Sequence, residues 1–494
     1  MAEFFDVIII GGGIVGCMTA RYLSRYQLKI LLVEKESDIG MGASSANSAI
    51  IHAGYDPAPG TLKASMNVAG NAQWDSLAGE LNFHFDRRGD FVVAIGQEEV
   101  PALESLFNQG RRNGVPGMRM ISGEEMRRRE PGINPAVSGA LWAYTGGVVD
   151  PFNATIAAAE NALHNGVKLL LKTSFINFIL DGTSIVGINT NRGEFGCRWV
   201  VNAAGLYADE VMHKAGVRPE FEITPRRGEY FVLDRSEISV NNVLFPVPTR
   251  KGKGILVTGT THGNPIVGPT STNLTDKEDR SSTPEGQEEL WQGARKLVPS
   301  LKINYVISSF VGLRATGNAH RSVAGGETPV DFIIEIPGEV GGLVNLGGIE
   351  SPGLTSAPAI AQRVVDLLKD AGLEMVEKPG WDPIRPPRPR FCELERTEQA
   401  LLVAQDPRYG RIICRCEMVT EGEIVAEVHG PIPATTYDAI KRRTWLGTGR
   451  CLGSFDTPRV VSILAEELGE SPLQITKKGP GSEFLVRETK TLEV

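Results

Sequence analysis

No stretch of this chain approaches the ~20 consecutive apolar residues that a helix needs to cross a bilayer. The apolar run in the opening MAEFFDVIIIGGGIVG lasts only a few residues and has no cationic segment ahead of it, unlike a secretory signal. Cysteine is scarce. Six among 494 residues, with no secretory signal, do not make a disulfide framework. Cys17, Cys197 and Cys392 are scattered and read as structural, whereas Cys414, Cys416 and Cys451 fall together in the last fifth of the chain. Positive charge is not in excess either: 51 Lys and Arg face 59 Asp and Glu, a formal net charge of −8. That balance gives no general electrostatic reason to bind nucleic acid, although a local basic pocket can sit on an acidic protein. From these absences a cytoplasmic location with no transmembrane segment is expected. Peripheral contact with a membrane and oligomeric state stay open.

What is present is ordinary globular material. Hydrophobic content of 41% and charged content of 22% exclude disorder or fibre, and the length suggests about three domains at ~150 residues each. Asp6-Val7-Ile8-Ile9-Ile10 is a continuous apolar, β-branched run, as in a strand buried on both faces of a parallel sheet. It runs into Gly11-Gly12-Gly13-Ile14-Val15-Gly16 and a helical stretch through Leu23. A second apolar strand, Lys29 to Val33, then ends at Glu34. Strand, G-x-G-x-x-G, helix, strand and an acid ~20 residues on form the dinucleotide-binding pattern. Gly11 permits the tight turn, Gly13 admits a pyrophosphate, Gly16 lets helix and strand pack closely, and Glu34 can accept from a ribose diol. The helix N-terminus offers N–H groups to the phosphates. Gly11, Gly13, Ile14, Gly16, Glu34 and Lys35 are the cofactor candidates here, against the plain alternative of an ordinary strand–turn–helix.

The next segment favours FAD over NAD. Gly40 to Gly54 is rich in small residues and hydroxyls, among them Ser44, Ser45, Asn47 and Ser48, suited to cradling phosphates and passing beneath a flavin ring. With Gly147-Val148-Val149-Asp150-Pro151, Val201-Asn202-Ala203-Ala204-Gly205, Gly312-Leu313-Arg314 and the run Gly347 to Thr355, the chain resembles the D-amino-acid-oxidase-like superfamily of flavoproteins. Within it, the FAD-dependent glycerol-3-phosphate dehydrogenases and L-2-hydroxyglutarate oxidases are most similar. The resemblance runs in order to about residue 370. It extends the cofactor candidates to Ala203, Gly205, Gly347, Gly348, Ile349, Ser351, Gly353, Leu354 and Thr355.

The resemblance implies an α/β fold: a Rossmann-like FAD-binding domain with an inserted antiparallel-sheet substrate domain, plus a small helical C-terminal domain. The FAD-binding domain is expected to be discontinuous, over 1–85, 146–222 and 305–375, with the substrate domain over 86–145 and 223–304. A helix is read over Ala357 to Leu368, a hairpin over Phe175 to Ile188, and a strand over Lys253 to Thr260. Proline density after Lys378 reads as an extended linker, 376–408. A cysteine domain over 409–475 and a tail over 476–494 follow.

In the cysteine domain, Cys414-Arg415-Cys416 and the later Gly447-Thr448-Gly449-Arg450-Cys451 resemble bacterioferritin-associated ferredoxin, which holds a 2Fe-2S cluster through C-x-C and C-x4-C. Three positions match as Cys414, Cys416 and Cys451, and the fourth is Asp456. A carboxylate is a harder ligand than thiolate but binds iron. The alternative is a module that has lost its cluster and serves for docking. Zinc fits less well, since Cys-x-Cys is tighter than finger spacing.

Dehydrogenation at a flavin needs a base for the hydroxyl proton and an anchor for the substrate's anionic end. His52 is the candidate base, with a structural histidine as the alternative. Arg314, in a stretch resembling the family's anion-binding arginine, is the candidate anchor, although Ala315 stands where the family often has proline. Arg226 and Arg227, as strand neighbours, point to opposite faces, so at most one reaches substrate. Lys63 and Arg321 are expected at the surface. The expected reaction is oxidation of a small anionic 2-hydroxy compound, foremost sn-glycerol 3-phosphate, with electrons leaving to a protein partner or quinone. L-2-hydroxyglutarate, an amine or amino acid, and a non-catalytic electron relay are the alternatives.

Overall fold

The computed structural model describes residues 3–219, 221–248, 254–319 and 331–489. Arg321 and Lys253 lie outside them. The chain divides into two compact units, Met1–Val33 with Gly40–Arg385, and Glu34–Ile39 with Pro386–Val494.

In the first unit, strand β1 (Glu3–Ile10) leads through helix α1 (Ile14–Leu23) to β2 (Ile30–Val33), and β1 pairs in parallel with both β2 and β3 (Gly193–Asn202). Val7 to Ile10 and all of β2 are buried, which is why their apolar runs do not alternate. The sheet has eight strands. Phe175–Asp181 and Ser184–Thr190 form the expected hairpin on one side, and Leu343–Gly347 pairs in parallel with β3. Helix α1 packs against Pro151–His164 and against α2 (Gly353–Asp370), which begins four residues before the expected helix.

A second, nine-stranded sheet is antiparallel except where Val243–Pro246 runs parallel to Asp90–Ile95. Its longest pairing joins β4 (Phe221–Leu233) to β5 (Val306–Ala319) along their whole lengths. The FAD-binding piece expected from 305 therefore starts too early: the thirteen residues of β4 take their ladder partner from β5, so the substrate sheet runs on to Ala319. The described part of the strand expected from Lys253 is Leu256–Gly259.

The expected 376–408 linker is also revised. The Trp381 indole donates to Ser24 Oγ at 3.1 Å, and the Asp382 carbonyl accepts from Asn161 and Asn165. Arg385 is buried, with its Nε 2.6 Å from Glu160. Arg396–Gln405 is a helix with a Glu395/Glu398 capping box. Proline keeps a segment from continuing a ladder, but it does not keep flanking side chains from packing.

The second unit wraps Glu421–Val428, Tyr437–Thr444 and helix α3 (Thr457–Leu468) around one apolar core. Burial pushes the Asp38 carboxyl up, but Arg443 and Arg442 hold it below its ordinary value. The expected tail is partly structured: Asp438 N–H donates to the Lys477 carbonyl, and Phe484 packs edge-on to Tyr437 at 5.5 Å. Cys17 and Cys197 are buried, whereas Cys392 is exposed. Among the described residues, no helix is long and apolar enough to cross a membrane.

Removing one partner of a buried ion pair strands the other. R385A is expected to destabilise the first unit by about 3–5 kcal/mol, read as an earlier thermal midpoint, with E160L/R385L recovering most of the loss.

Candidate functional site

The turn after β1 leaves no room for side chains. Gly11 has φ +108°, and a Cβ on it would lie 2.5 Å from the Ala203 carbonyl oxygen; one on Gly16 would lie 2.0 Å from the carbonyl oxygen of Gly11 itself. Helix α1 thus sits directly on the turn. Its cap, Gly13, has no side chain to offer, and Ser44 substitutes: its Oγ accepts the Ile14 N–H at 2.9 Å. Asn47 holds the Ala43 and Ser44 carbonyls, and Ser45 Oγ donates to Gly42. Ala203 follows β3 and donates to the Ile10 carbonyl, and Gly205 opens a short turn with φ +57°. Glu34 follows β2 directly, with Oε1 accepting from Glu36 N–H at 2.9 Å. Lys35 is exposed and pairs with Glu36 at 3.7 Å.

Gly347 ends a strand, Gly348 and Ile349 continue from it, and Gly353 and Leu354 open α2. Thr355, in the first turn, ties the halves of the site together: its Oγ1 accepts the His52 N–H at 2.9 Å, and its carbonyl accepts from Trp74. His52 Nε2 lies 3.5 Å from Ser351 Oγ, and its ring packs 5.8 Å from Phe245.

Arg314 stands on β5 directly opposite Arg226 on β4, so both side chains leave the same face. Thr316, Gly312 and Phe310 share that face by alternation, as does Tyr230. A Cβ on Gly312 would lie 2.0 Å from the Ala46 carbonyl oxygen, so this face carries the Ser44–Ser48 stretch against it. Tyr230 stacks on Phe310 at 4.5 Å, and burial pushes its hydroxyl up to about 12 against the pull of Arg314 and a hydrogen bond with Ser48. Arg314 donates to the Thr270 carbonyl at 2.8 Å, while its Nε is buried with no hydrogen-bond partner. Burial lowers its pKa, opposed by Tyr230 and Glu350. Arg227 points the other way, to Glu229 and Asp279.

One pairing in the site escapes a reading of the sequence. Lys63, expected at the surface, is largely buried with Nζ 2.7 Å from Glu350 Oε1. Glu350 also accepts from Thr316 at 2.6 Å and stands 3.8 Å from Arg226. Burial pushes this carboxyl up, but Lys63, Thr316 and Arg226 draw it below its ordinary value. Glu350 is visible in the Gly347-to-Thr355 run; its partner is remote in sequence.

In the second unit, Cys416 and Cys451 approach to 3.3 Å between sulfurs, and Cys414 accepts a weak bond from Gly447 N–H. Asp456 is buried beside Cys414, with Oδ1 accepting from the Tyr437 hydroxyl at 2.7 Å. Among the described residues, no three such side chains converge as they would around a single metal ion. They fall into two pairs.

A family model described as FAD dependent oxidoreductase matches residues 6–367, and one described as BFD-like [2Fe-2S] binding domain matches 412–466. The glycerol 3-phosphate dehydrogenase of Caloramator mitchellensis is 44% identical over 99% of each chain. The chain belongs to the FAD-dependent oxidoreductase family. The L-α-glycerophosphate oxidase of Mycoplasma pneumoniae, solved with FAD bound, is 35% identical, with a TM-score of 0.72 over 78% of this chain and 99% of its own. The mitochondrial L-2-hydroxyglutarate dehydrogenase of Arabidopsis thaliana is 29% identical over 74% of this chain and 83% of its own.

The residues of this oxidoreductase fit its cofactors. The bare turn at Gly11 and Gly13, with Ser44 beside it, leaves backbone room for a pyrophosphate. Two ligand pairs suit a two-iron cluster, in which each iron takes two protein ligands, better than a tetrahedral zinc, which needs four to converge. In G11A the new methyl meets backbone that cannot move aside. Flavin absorbance per mole of purified protein is expected to fall at least about tenfold, whereas G42A, at an open position, keeps it.

Proposed function

We propose that this chain oxidises sn-glycerol 3-phosphate to dihydroxyacetone phosphate. The arrangement around Glu350 carries the reading: Lys63, Arg226 and Arg314 gather about one carboxylate, three cations to one anion, a formal surplus of two positive charges. Such a surplus suits a phosphate dianion at one end of a small substrate. The planar fork of Arg314, with its Nε unpartnered, suits the phosphate oxygens. His52, linked to the same turn through Ser351, takes the proton of the secondary hydroxyl. The hydrogen on that carbon leaves with its electron pair, so the alcohol loses two electrons and two hydrogens and becomes a ketone. Bound FAD supplies the acceptor for that hydride. Relatives named for glycerol 3-phosphate or glycerophosphate, at 44% and 35% identity, support the same substrate over L-2-hydroxyglutarate, at 29%. The fused [2Fe-2S] domain supports a protein partner or quinone, rather than dioxygen, as electron acceptor.

Under anaerobic conditions sn-glycerol 3-phosphate is expected to bleach the flavin band, and L-2-hydroxyglutarate and amino acids to leave it. Bleaching by one of those and not by glycerol 3-phosphate overturns the assignment. R314A is expected to lower kcat/KM by about a hundredfold or more, chiefly through KM, with flavin content intact. H52Q is expected to lower kcat by about 10²–10⁴-fold; an unchanged kcat removes His52 as the base.

A further inference from the structure

Asp456 occupies the cap position of α3, where aspartate ordinarily accepts backbone N–H groups from the first turn. It makes no such bond. One of the two donors a cap could use is missing, because the second residue of the helix is Pro458. Asp150 shows the ordinary arrangement in the same chain: its proline is at the first helical position, and its Oδ1 accepts from Phe152 and Asn153, both at 3.0 Å. The Asp456 carboxylate instead turns inward. Its side chain is 1% exposed, Tyr437 holds Oδ1, and Oδ2 is buried with no hydrogen-bond partner. The Cys414 sulfur lies beside it. A buried carboxylate oxygen left in this state is costly unless a cation meets it.

We propose that Asp456 is the fourth protein ligand of the [2Fe-2S] cluster, bound through Oδ2, with Tyr437 as the positioning residue that keeps Oδ1 out of the coordination. The pairing of side chains assigns Cys416 and Cys451 to one iron, and Cys414 and Asp456 to the other. The two irons are then chemically unequal: one has sulfur ligands alone and the other carries one oxygen. The inference rests on the cluster-binding assignment of the domain and not on the choice of substrate.

The test uses the full-length flavoprotein, produced with iron-57 and purified without air. The wild-type chain is expected to hold about two irons and to show two unequal Mössbauer doublets of equal area in the oxidised state. In D456C the doublets converge as both irons become all-sulfur. D456A is expected to lose iron to a chelator about tenfold faster or more, while D456C retains it, which separates ligand loss from misfolding. Y437F keeps its iron but shifts the doublet of the oxygen-ligated site alone. A wild-type spectrum and iron retention in D456A would overturn the proposal. So would a wild-type chain without iron whose Cys416 and Cys451 are joined as a disulfide. Flavin content and bleaching by glycerol 3-phosphate, measured on the same samples, report the substrate reading separately, since neither outcome depends on Asp456.

Discussion

Two arginines stand opposite each other on one face of the β4–β5 ladder, and the candidate site depends on what keeps them there. Like charges in that position destabilise a sheet. Glu350 answers part of the charge, but its Oε1 is engaged by Lys63 and its Oε2 by Thr316, with Arg226 at 3.8 Å. Arg314 keeps a buried Nε without a partner. The fold therefore holds a charged cluster that is electrostatically incomplete by itself. Such an arrangement is explained by an anionic occupant more readily than by stability, because apolar residues at the same positions would pack without the repulsion.

The same ladder is coupled to the nucleotide turn through one short stretch of chain. Ser44 caps α1 through Ile14, Ala46 lies against Gly312, Ser48 reaches Tyr230, and His52 is fixed by Thr355. Nine residues thus touch the helix at the turn, the substrate sheet and the first turn of α2 in order. That explains the small side chains between Gly40 and Gly54: bulk would separate elements that this stretch holds together.

The nucleotide turn, the opposite orientation of Arg226 and Arg227, and the clustering of three cysteines with Asp456 were legible in the sequence because each rests on local spacing. Strand periodicity alone sends neighbouring arginines to opposite faces, and the glycine pattern alone specifies the turn. Lys63 and Glu350 were not legible as a pair, since their 2.7 Å contact joins residues 287 apart. The far boundary of the substrate sheet was misplaced for the same reason: β5 is assigned by its partner, not by its composition. The proline-rich segment misled in another way. Pro386 and Pro387 follow Arg385, but Trp381, Asp382 and Arg385 ahead of them still find partners in Ser24, Asn165 and Glu160.

Four carboxylates held away from water in this chain show how the cost of burial is met. Asp38 is met by two arginines, Glu160 by Arg385, Glu350 by a lysine and a threonine, and Asp150 by backbone N–H groups. Each arrangement meets the cost of taking an anion out of water with donors of matching geometry. Asp456 is as deeply buried, with the Tyr437 hydroxyl donating to Oδ1 and the Cys414 thiol beside it. A protonated carboxyl would need less, but Asp456 shares its surroundings with cysteines that match a cluster-binding domain. Sequence spacing leaves Asp456 as either a substitute ligand or the mark of a lost cluster; in the structure its carboxylate makes no bond to the helix it begins and lies beside Cys414.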